Sequence, residues 1–289
     1  MRRAVPVIFL AILFLLAVST PAAFPWSSGG NITVPYALAD GAGLTGYLSL
    51  PREYQEGKRY PAILLIHGGL GDNQGARNRA EEFLRTGPVK KHLCPHYAVF
   101  SAAYHSDYFG GPKEIESLAA ALKTVAGLPQ VDPGRIAALG VSHGGYLALM
   151  AAAHPRMPLK IKAAVSISGV VDVGAFLEHR FKGSRIAAGP AARALGWPPE
   201  KDAGTRENYA RLSVLSYLGN LQAPVLVAHG AGDNLVPVSQ ARRLKEGLEK
   251  QNKQFEYLEV LTGKIGGHFI FLSSKEMWEK IGVFLKKYL

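Results

Sequence analysis

Residues 140–144, Gly-Val-Ser-His-Gly, place one serine between two glycines and decide how the chain is expected to fold. A short apolar run at residues 135–139 precedes them, and an alanine-rich run at residues 146–154 is typical of a helix. A strand, a tight turn and a helix in this order indicate a nucleophile elbow, in which a strained turn lifts the serine hydroxyl clear of a sheet. The pattern therefore predicts Ser142 as a nucleophile. The alternative is a glycine-rich turn that only packs tightly.

Strand and helix patterns alternate along the rest of the chain, and Asp-Pro-Gly at residues 132–134 predicts a turn before the elbow strand. Such alternation is typical of a mostly parallel central sheet with helices on both faces. The strand patterns lie at residues 32–39, 44–50, 61–66, 98–103, 135–139, 163–167, 225–228 and 255–260. The clearest helical patterns lie at residues 112–126, 146–154, 239–252 and 274–288.

Residues 172–222 interrupt this alternation. They contain two consecutive prolines, several glycines and short helical patches, but no clear strand pattern. We interpret them as a small lid insertion over the carboxyl edge of the sheet, where a wall of the substrate pocket would lie. The alternative is one long crossover with a single packed helix.

The first residues have the composition of an export signal. A basic start precedes the apolar residues 4–18 and a small-residue end. An apolar run of about 15 residues is shorter than the roughly 20 that a spanning helix needs, so residues 1–23 predict a secretory signal. Because Pro21 crowds the cleavage site, a retained anchor that associates with a membrane is the alternative. We expect an exported protein with a short tether at residues 24–31.

The composition is that of a globular protein with one sizeable core, since 48% of the 289 residues are hydrophobic and 19% are charged. The net charge is +11, but the basic residues occur singly or in pairs without interleaved aromatics, so we expect no nucleic-acid partner. Cys94 is the only cysteine, which excludes an intrachain disulfide. The histidines lack the spacing of a metal site and the glycines lack a nucleotide fingerprint, so we expect no metal or cofactor.

A serine hydroxyl is a weak nucleophile at neutral pH and needs a base, which in turn needs an orienting acid. Asp233 lies in Gly-Asp-Asn-Leu-Val-Pro after an apolar strand, and His268 lies in Gly-Gly-His-Phe after the last predicted strand. The order serine, aspartate, histidine is the order expected when the serine lies on such an elbow. Asp172, which follows the strand after the elbow, is the alternative acid.

Four other histidines also lie near predicted strand ends: His67, His105, His143 and His229. His268 is preferred as the base because its loop follows the last strand. We expect a structural role for His67. The side chain of His143 is expected to point away from the position of the base and to line the pocket.

Backbone amides are the candidate donors to an oxyanion. His143, the residue after the predicted nucleophile, supplies one amide from the start of its helix. Gly69, in the His-Gly-Gly-Leu segment at residues 67–70, is the best candidate for the other. Leu70 is the alternative to Gly69.

Over roughly residues 32–289, these motifs resemble the α/β-hydrolase fold and, within it, the catalytic domain of the prolyl oligopeptidase family of serine peptidases. The resemblance implies a serine hydrolase that cleaves peptide or ester bonds through an acyl-enzyme. The matching segments lie at residues 67–69, 132–136, 140–148, 232–237 and 267–269.

Two features depart from the pattern of that family. Larger members carry an amino-terminal propeller, which the roughly 40 residues between the predicted signal and the first buried strand cannot form. Members also often place a tyrosine hydroxyl in the oxyanion hole, where this chain has His67. We therefore expect a prolyl-oligopeptidase-like peptidase, with a carboxylesterase or dienelactone-hydrolase-like esterase as the first alternative. A non-catalytic binding module on the same fold is the second.

Overall fold

An eight-stranded sheet forms the centre of the structure, a computed structural model that describes residues 31–69, 73–106, 108–181, 192–262 and 266–289. The predicted signal or anchor at residues 1–23 lies outside the described residues, as does the predicted tether except for Asn31. Among the helices of the described ranges, none is both long and apolar enough to cross a membrane.

The sheet is mostly parallel, as the sequence predicted. Its strands are Ile32–Ala37 (β1), Gly43–Ser49 (β2), Tyr60–Ile66 (β3), Ala98–Ala102 (β4), Val131–Val141 (β5), Ala163–Ile167 (β6), Val225–Gly230 (β7) and Phe255–Val260 (β8). Their order in space is β1-β2-β4-β3-β5-β6-β7-β8. The β1–β2 and β2–β4 pairs are antiparallel, and every pair from β4 to β8 is parallel. The carboxyl ends of the parallel strands therefore share one edge, where sites of open α/β sheets lie.

Helices cover both faces of the sheet and enclose one apolar core on each side. The described helices are Asn73–Arg85 (α1), Gly87–His92 (α2), Pro112–Gly127 (α3), His143–Ala153 (α4), Val173–Phe181 (α5), Ala203–Leu212 (α6), Ser239–Lys250 (α7), Ile270–Ser273 (α8) and Lys275–Tyr288 (α9). Side chains alternate between the two faces of a strand, so Ile63 and Leu65 pack with α1, α2 and α9, whereas Leu64 and Ile66 pack with α3, α4 and α7. The α/β-hydrolase fold predicted from the sequence is confirmed.

The predicted turn at residues 132–134 is instead a bulge inside β5. Tyr60 pairs with Val131 and Ala62 pairs with Ile136, so residues 132–135 of β5 lie opposite a single residue of β3. The turn chemistry is present, because Oδ1 of Asp132 accepts a hydrogen bond from the Gly134 amide at 2.9 Å. The strand regains its register after the bulge and runs on to the elbow.

The interval at residues 172–222 contains helices and no strand in its described parts, residues 172–181 and 192–222. It includes α5, α6 and a short 3₁₀ helix at Val214–Asn220. This agrees with the absence of a strand pattern in the sequence. The role of these residues as a lid stays a prediction.

Two glycines allow backbone segments to pack closely against each other around the elbow. A Cβ atom on Gly140 would lie 2.0 Å from the carbonyl oxygen of Gly144, and one on Gly144 would lie 2.1 Å from the carbonyl oxygen of Ile66. Both distances are far inside van der Waals contact, and the opposing atoms belong to the backbone and cannot rotate away. Only glycine fits at these two positions.

We therefore expect Gly140→Ala to lower the free energy of unfolding by about 3 kcal/mol, the upper end of the usual cost of overpacking, because the added methyl group displaces backbone in a packed core. Gly282→Ala is the matched control, since a Cβ atom on this exposed glycine of α9 meets nothing within 4 Å. That substitution should raise the free energy of unfolding by about 1 kcal/mol, the usual helix preference of alanine over glycine. Urea titrations of the two variants measure both values, and an unaltered stability of Gly140→Ala would contradict the proposed crowding.

Candidate active site

Ser142 occupies a strained turn between β5 and α4. Its φ is 59° and its ψ is −120°, a conformation that residues other than glycine rarely adopt and that costs on the order of 1–3 kcal/mol. The amide of Ser142 donates a hydrogen bond of 2.8 Å to the carbonyl of Ile167 on the neighbouring strand β6, which fixes the turn to the sheet. Ser142 is partly exposed, whereas every residue of α4 is buried. The elbow predicted from the sequence is therefore present in the backbone.

Asp233 and His268 meet because their two loops touch backbone to backbone. A Cβ atom on Gly267 would lie 2.3 Å from the Asp233 amide nitrogen, and one on Gly230 would lie 2.2 Å from the Gly267 carbonyl oxygen. This approach places Nδ1 of His268 at 2.8 Å from Oδ2 of Asp233. Since β5, β7 and β8 are parallel, the aspartate and the histidine lie at the same edge of the sheet as Ser142.

The carboxylate of Asp233 is buried but accepts several hydrogen bonds. Oδ1 accepts the amides of Leu235 and Val236, both at 2.9 Å, and Oδ2 accepts His268. Burial alone would raise the pKa of Asp233, but the hydrogen bonds from His229 and His268 outweigh it and hold that pKa well below its usual range. Asp233 therefore remains an anion at neutral pH.

The hydrogen bond to Asp233 fixes which nitrogen of His268 carries a proton. A carboxylate can only accept, so Nδ1 of His268 carries a proton, and in the neutral ring it is Nε2 that keeps a lone pair. The ring is 8% exposed and faces the side of Phe269, with ring centroids 5.5 Å apart. An oriented neutral imidazole of this kind can accept a proton at Nε2.

Asp172, the alternative acid, has other partners. Its Oδ2 forms an ion pair of 2.5 Å with Nη1 of Arg243, and its Oδ1 accepts the amide of Ala175 at 3.0 Å at the start of α5. Its contacts therefore belong to a helix start and a surface ion pair. No contact joins it to His268 among the described residues.

His229 contacts the carboxylate of Asp233, and the sequence did not predict this contact. Its Nε2 is 2.9 Å from the carbonyl oxygen of Val236 and 3.3 Å from Oδ2 of Asp233. A carbonyl can only accept, so Nε2 carries the proton and shares it between the two oxygens. The spacing of His229 four residues before Asp233 is the one signal in the sequence for this contact. His105, by contrast, lies beyond β4, where its amide donates to Oγ of Ser117.

The glycine loop after β3 lies directly against Ser142. A Cβ atom on Gly68 would lie 3.1 Å from Cβ and 3.8 Å from Oγ of Ser142. Gly69 follows with a φ of 82°, a left-handed conformation that suits glycine. Leu70, the alternative donor, lies outside the described residues. The His143 amide belongs to the first turn of α4, where a helix offers no carbonyl to its amides.

The side chain of His143 does not line an open pocket, contrary to the expectation from the sequence. It is 2% exposed, stacks on Phe109 with ring centroids 4.1 Å apart, and brings Nε2 within 2.8 Å of Oε1 of Glu114. The last contact is close, but Nε2 of His143 makes no hydrogen bond within the described residues. The Glu114 carboxylate is fully buried and accepts Oγ of Ser106 at 2.6 Å and the Gly110 amide at 2.7 Å. The sequence pattern predicts Glu114 as a surface residue of an amphipathic helix, so it gives no signal for these buried contacts.

His67 and Tyr104 stack behind the glycine loop, with ring centroids 4.5 Å apart and an angle of 17° between the rings. The Tyr104 hydroxyl donates to the carbonyl oxygens of His67 and Gly69, each at 3.0 Å. Burial lowers the pKa of His67 to about 4, so its ring is neutral at neutral pH. The structural role expected for His67 agrees with this packing, whereas Tyr104 was not singled out by the sequence.

No group of three or more histidine, cysteine, aspartate or glutamate side chains within the described residues is arranged to hold a metal ion. Cys94 is a buried free thiol, and burial raises its pKa.

Comparisons with known proteins agree with the motifs. The chain is 27% identical over 239 residues to the uncharacterized peptidase YuxL of Bacillus subtilis, a match that covers 76% of this chain and 33% of that protein. The chain thus spans about a third of the length of this relative.

Solved structures share the fold across peptidases and esterases. An acylaminoacyl peptidase of Pyrococcus horikoshii superposes with a TM-score of 0.67 at 20% identity, covering 91% of this chain and 42% of that one. Esterase 2 of Thermogutta terrifontis superposes with a TM-score of 0.61 at 19% identity, covering 92% of this chain and 97% of that one. The model of the prolyl oligopeptidase family matches residues 99–289, which include Ser142, Asp233 and His268. On this match over most of its length, the chain belongs to the prolyl oligopeptidase family.

Proposed function

We propose that this chain is a serine hydrolase in which Ser142 is the nucleophile, His268 the general base and Asp233 the acid that orients the base. The observation that carries the proposal is the 2.8 Å hydrogen bond between Nδ1 of His268 and Asp233, at the sheet edge where Ser142 lies on its strained turn. A hydrogen-bonded base and acid at the edge of a nucleophile elbow are the parts that acyl transfer requires.

The reaction follows from these positions. Nε2 of His268 takes the proton of the Ser142 hydroxyl as its oxygen attacks the carbonyl carbon of the substrate. The imidazolium that forms is stabilised by the anionic carboxylate of Asp233. The imidazolium then gives the proton to the leaving group, which departs and leaves an ester between the acyl group and Ser142. Water then attacks this ester while Nε2 of His268 takes a proton from it. The imidazolium returns the proton to the Ser142 oxygen, and the carboxylic acid product is released.

The oxyanion of each tetrahedral intermediate needs donors on the other side of Ser142. The His143 amide is one proposed donor, and it gains from the positive end of the α4 dipole. The Gly69 amide is the other, supported by the contact of the loop with Ser142 through Gly68. Preorganised donors of this kind each contribute roughly 10²- to 10³-fold in rate.

Peptides are the proposed substrate class. The support is membership of a family named for oligopeptide cleavage and the likeness to YuxL, which is described as a peptidase. Esters are the second candidate. Their support is the fold shared with esterase 2 of Thermogutta terrifontis, which superposes with a TM-score of 0.61.

A comparison of leaving groups tests the substrate class. We expect the protein to hydrolyse short aminoacyl and prolyl nitroanilides as well as nitrophenyl esters of the same acyl groups. Amides need protonation of the leaving group by His268, whereas activated esters do not. Rates are followed by release of the chromophore. Turnover of the esters without detectable turnover of any nitroanilide would exclude the peptidase and leave the esterase.

Ser142→Ala should abolish turnover of every accepted substrate, with a loss of about 10⁶-fold in kcat relative to the unchanged chain. A fluorophosphonate should label the unchanged chain at Ser142, as read by mass spectrometry of the digested protein, and should not label the variant. Ser101→Ala is a suitable control, because its buried hydroxyl only donates to the carbonyl of Ala80. A chain that is neither labelled nor active would be a binding module on this fold.

Two aspartate variants test which carboxylate orients the base. Asp233→Asn should lower kcat by about 10⁴-fold, because the amide stabilises the wrong tautomer of His268. Asp172→Asn, which removes a similar charge from the ion pair with Arg243, should retain kcat within about threefold, in line with the small worth of exposed ion pairs. Steady-state rates on one nitrophenyl ester measure both. Equal losses in the two variants would contradict the assignment.

A further inference from the structure

A stacked pair of side chains holds three consecutive peptide groups of the loop at His67–Gly69. The Tyr104 hydroxyl is bonded to the carbonyl oxygens of His67 and Gly69. Nδ1 of His67 lies 2.9 Å from the carbonyl oxygen of Gly68, the one between them. Since that carbonyl can only accept, Nδ1 carries the proton. Each carbonyl from His67 to Gly69 therefore has a side-chain donor.

Peptide planarity converts these contacts into directions for the amides. The C=O and N–H groups of one trans peptide point in opposite directions. Because the Gly68 carbonyl points at the His67 ring, the Gly69 amide of the same peptide group points away from that ring. The Gly68 amide likewise points away from Tyr104. The loop thus has its carbonyls turned toward the stacked rings and its amides turned outward.

The phenol of Tyr104 is the group that ties the two outer peptides together. It has one proton, and its oxygen lies 3.0 Å from both carbonyl oxygens, so the two peptides converge on a single atom. Tyr104 is 2% exposed, so its hydroxyl cannot turn to solvent instead. The left-handed φ of Gly69 lets the chain make this bend. Loss of the phenol would free the peptides on both sides of the Gly69 amide.

On this geometry, we propose that Tyr104 is a positioning residue for the oxyanion donors of the loop at His67–Gly69. The proposal rests on the function proposed above, because an oxyanion has to form at Ser142. Tyr104 touches no reacting atom and acts through the carbonyls that it binds. It differs from a tyrosine whose hydroxyl faces the oxyanion itself, since this hydroxyl faces the opposite side of the loop.

Tyr104→Phe removes the phenol oxygen and keeps the ring that stacks on His67. We expect kcat on a nitrophenyl ester to fall by about tenfold or more, a part of the 10²- to 10³-fold that one lost oxyanion donor costs, with KM changed less than about twofold. The inhibition constant of a boronic acid, which forms a tetrahedral adduct with the serine, should rise in parallel with the loss of kcat. A competitive inhibitor that forms no adduct should bind as before.

Tyr36→Phe is the matched control. Its buried hydroxyl donates to the carbonyl of Ala103, so the variant loses the same kind of hydrogen bond one residue away from Tyr104 without touching the glycine loop. Both variants should lose similar stability in urea titrations, but Tyr36→Phe should keep kcat. Titration of active sites with a fluorophosphonate corrects each rate for the folded fraction of the protein.

The outcomes separate the positioning role from the proposed function. If the unchanged chain is active and Tyr104→Phe matches it in kcat and in boronic acid binding, the positioning role is wrong and the proposed function stands. Equal losses of corrected kcat in Tyr36→Phe and Tyr104→Phe would also overturn it, because they would reflect general loosening. An unchanged chain with neither turnover nor labelling at Ser142 would overturn both proposals.

Discussion

The positive φ of Ser142 is the constraint on which the rest of the site depends. A left-handed residue between a strand and a helix turns the chain so sharply that Gly140 and Gly144 have no room for side chains. The strain is on the order of 1–3 kcal/mol and persists because the flanking elements allow no other path. On one side β5 lies in the middle of the sheet, and on the other every residue of α4 is buried. The partial exposure of Ser142, the proposed nucleophile, is thus a product of the packing around it.

Burial of a charge at Asp233 is the second cost in the fold, and the local backbone offsets it. An ionised carboxylate without partners would lose several kcal/mol on leaving water. Here two amides of the same turn bind one oxygen, and two imidazoles approach the other. His229 also donates to the carbonyl of Val236, and the amide of Val236 donates to Asp233. The same contacts therefore stabilise both the turn at residues 233–236 and the buried carboxylate. The same contacts that make the buried anion tolerable also fix the ring of His268.

The sequence predicted the elements whose signals are local. The elbow at Ser142, the glycine loop at Gly69 and the separate motifs around Asp233 and His268 are each marked by a few adjacent residues. Tyr104 and Glu114 could not be found in this way, because their contacts depend on β4 lying beside β3 and on α3 packing against α4. Such neighbours are set by long-range topology, which a single sequence does not encode in any short pattern. The bulge at residues 132–134 was mistaken for a turn for a related reason, since its local turn chemistry is real and only strand register distinguishes the two.

The order of the strands explains why the two halves of the site are built from different parts of the fold. β3 lies directly beside β5, so the loop that follows β3 reaches Ser142 from one side, and Tyr104, just after β4, supports that loop. β7 and β8 lie on the opposite side of β5, beyond β6, and the loops that follow them hold Asp233 and His268, the proposed acid and base. The elbow strand β5 therefore separates the proposed oxyanion donors from the groups proposed to move the proton. His143 begins α4 and packs against Glu114, so its amide lies with the proposed oxyanion donors. Ser142, the residue before it, is the proposed partner of His268 and Asp233. The elbow is the one segment that belongs to both halves, so it is also the segment in which the backbone has the least freedom.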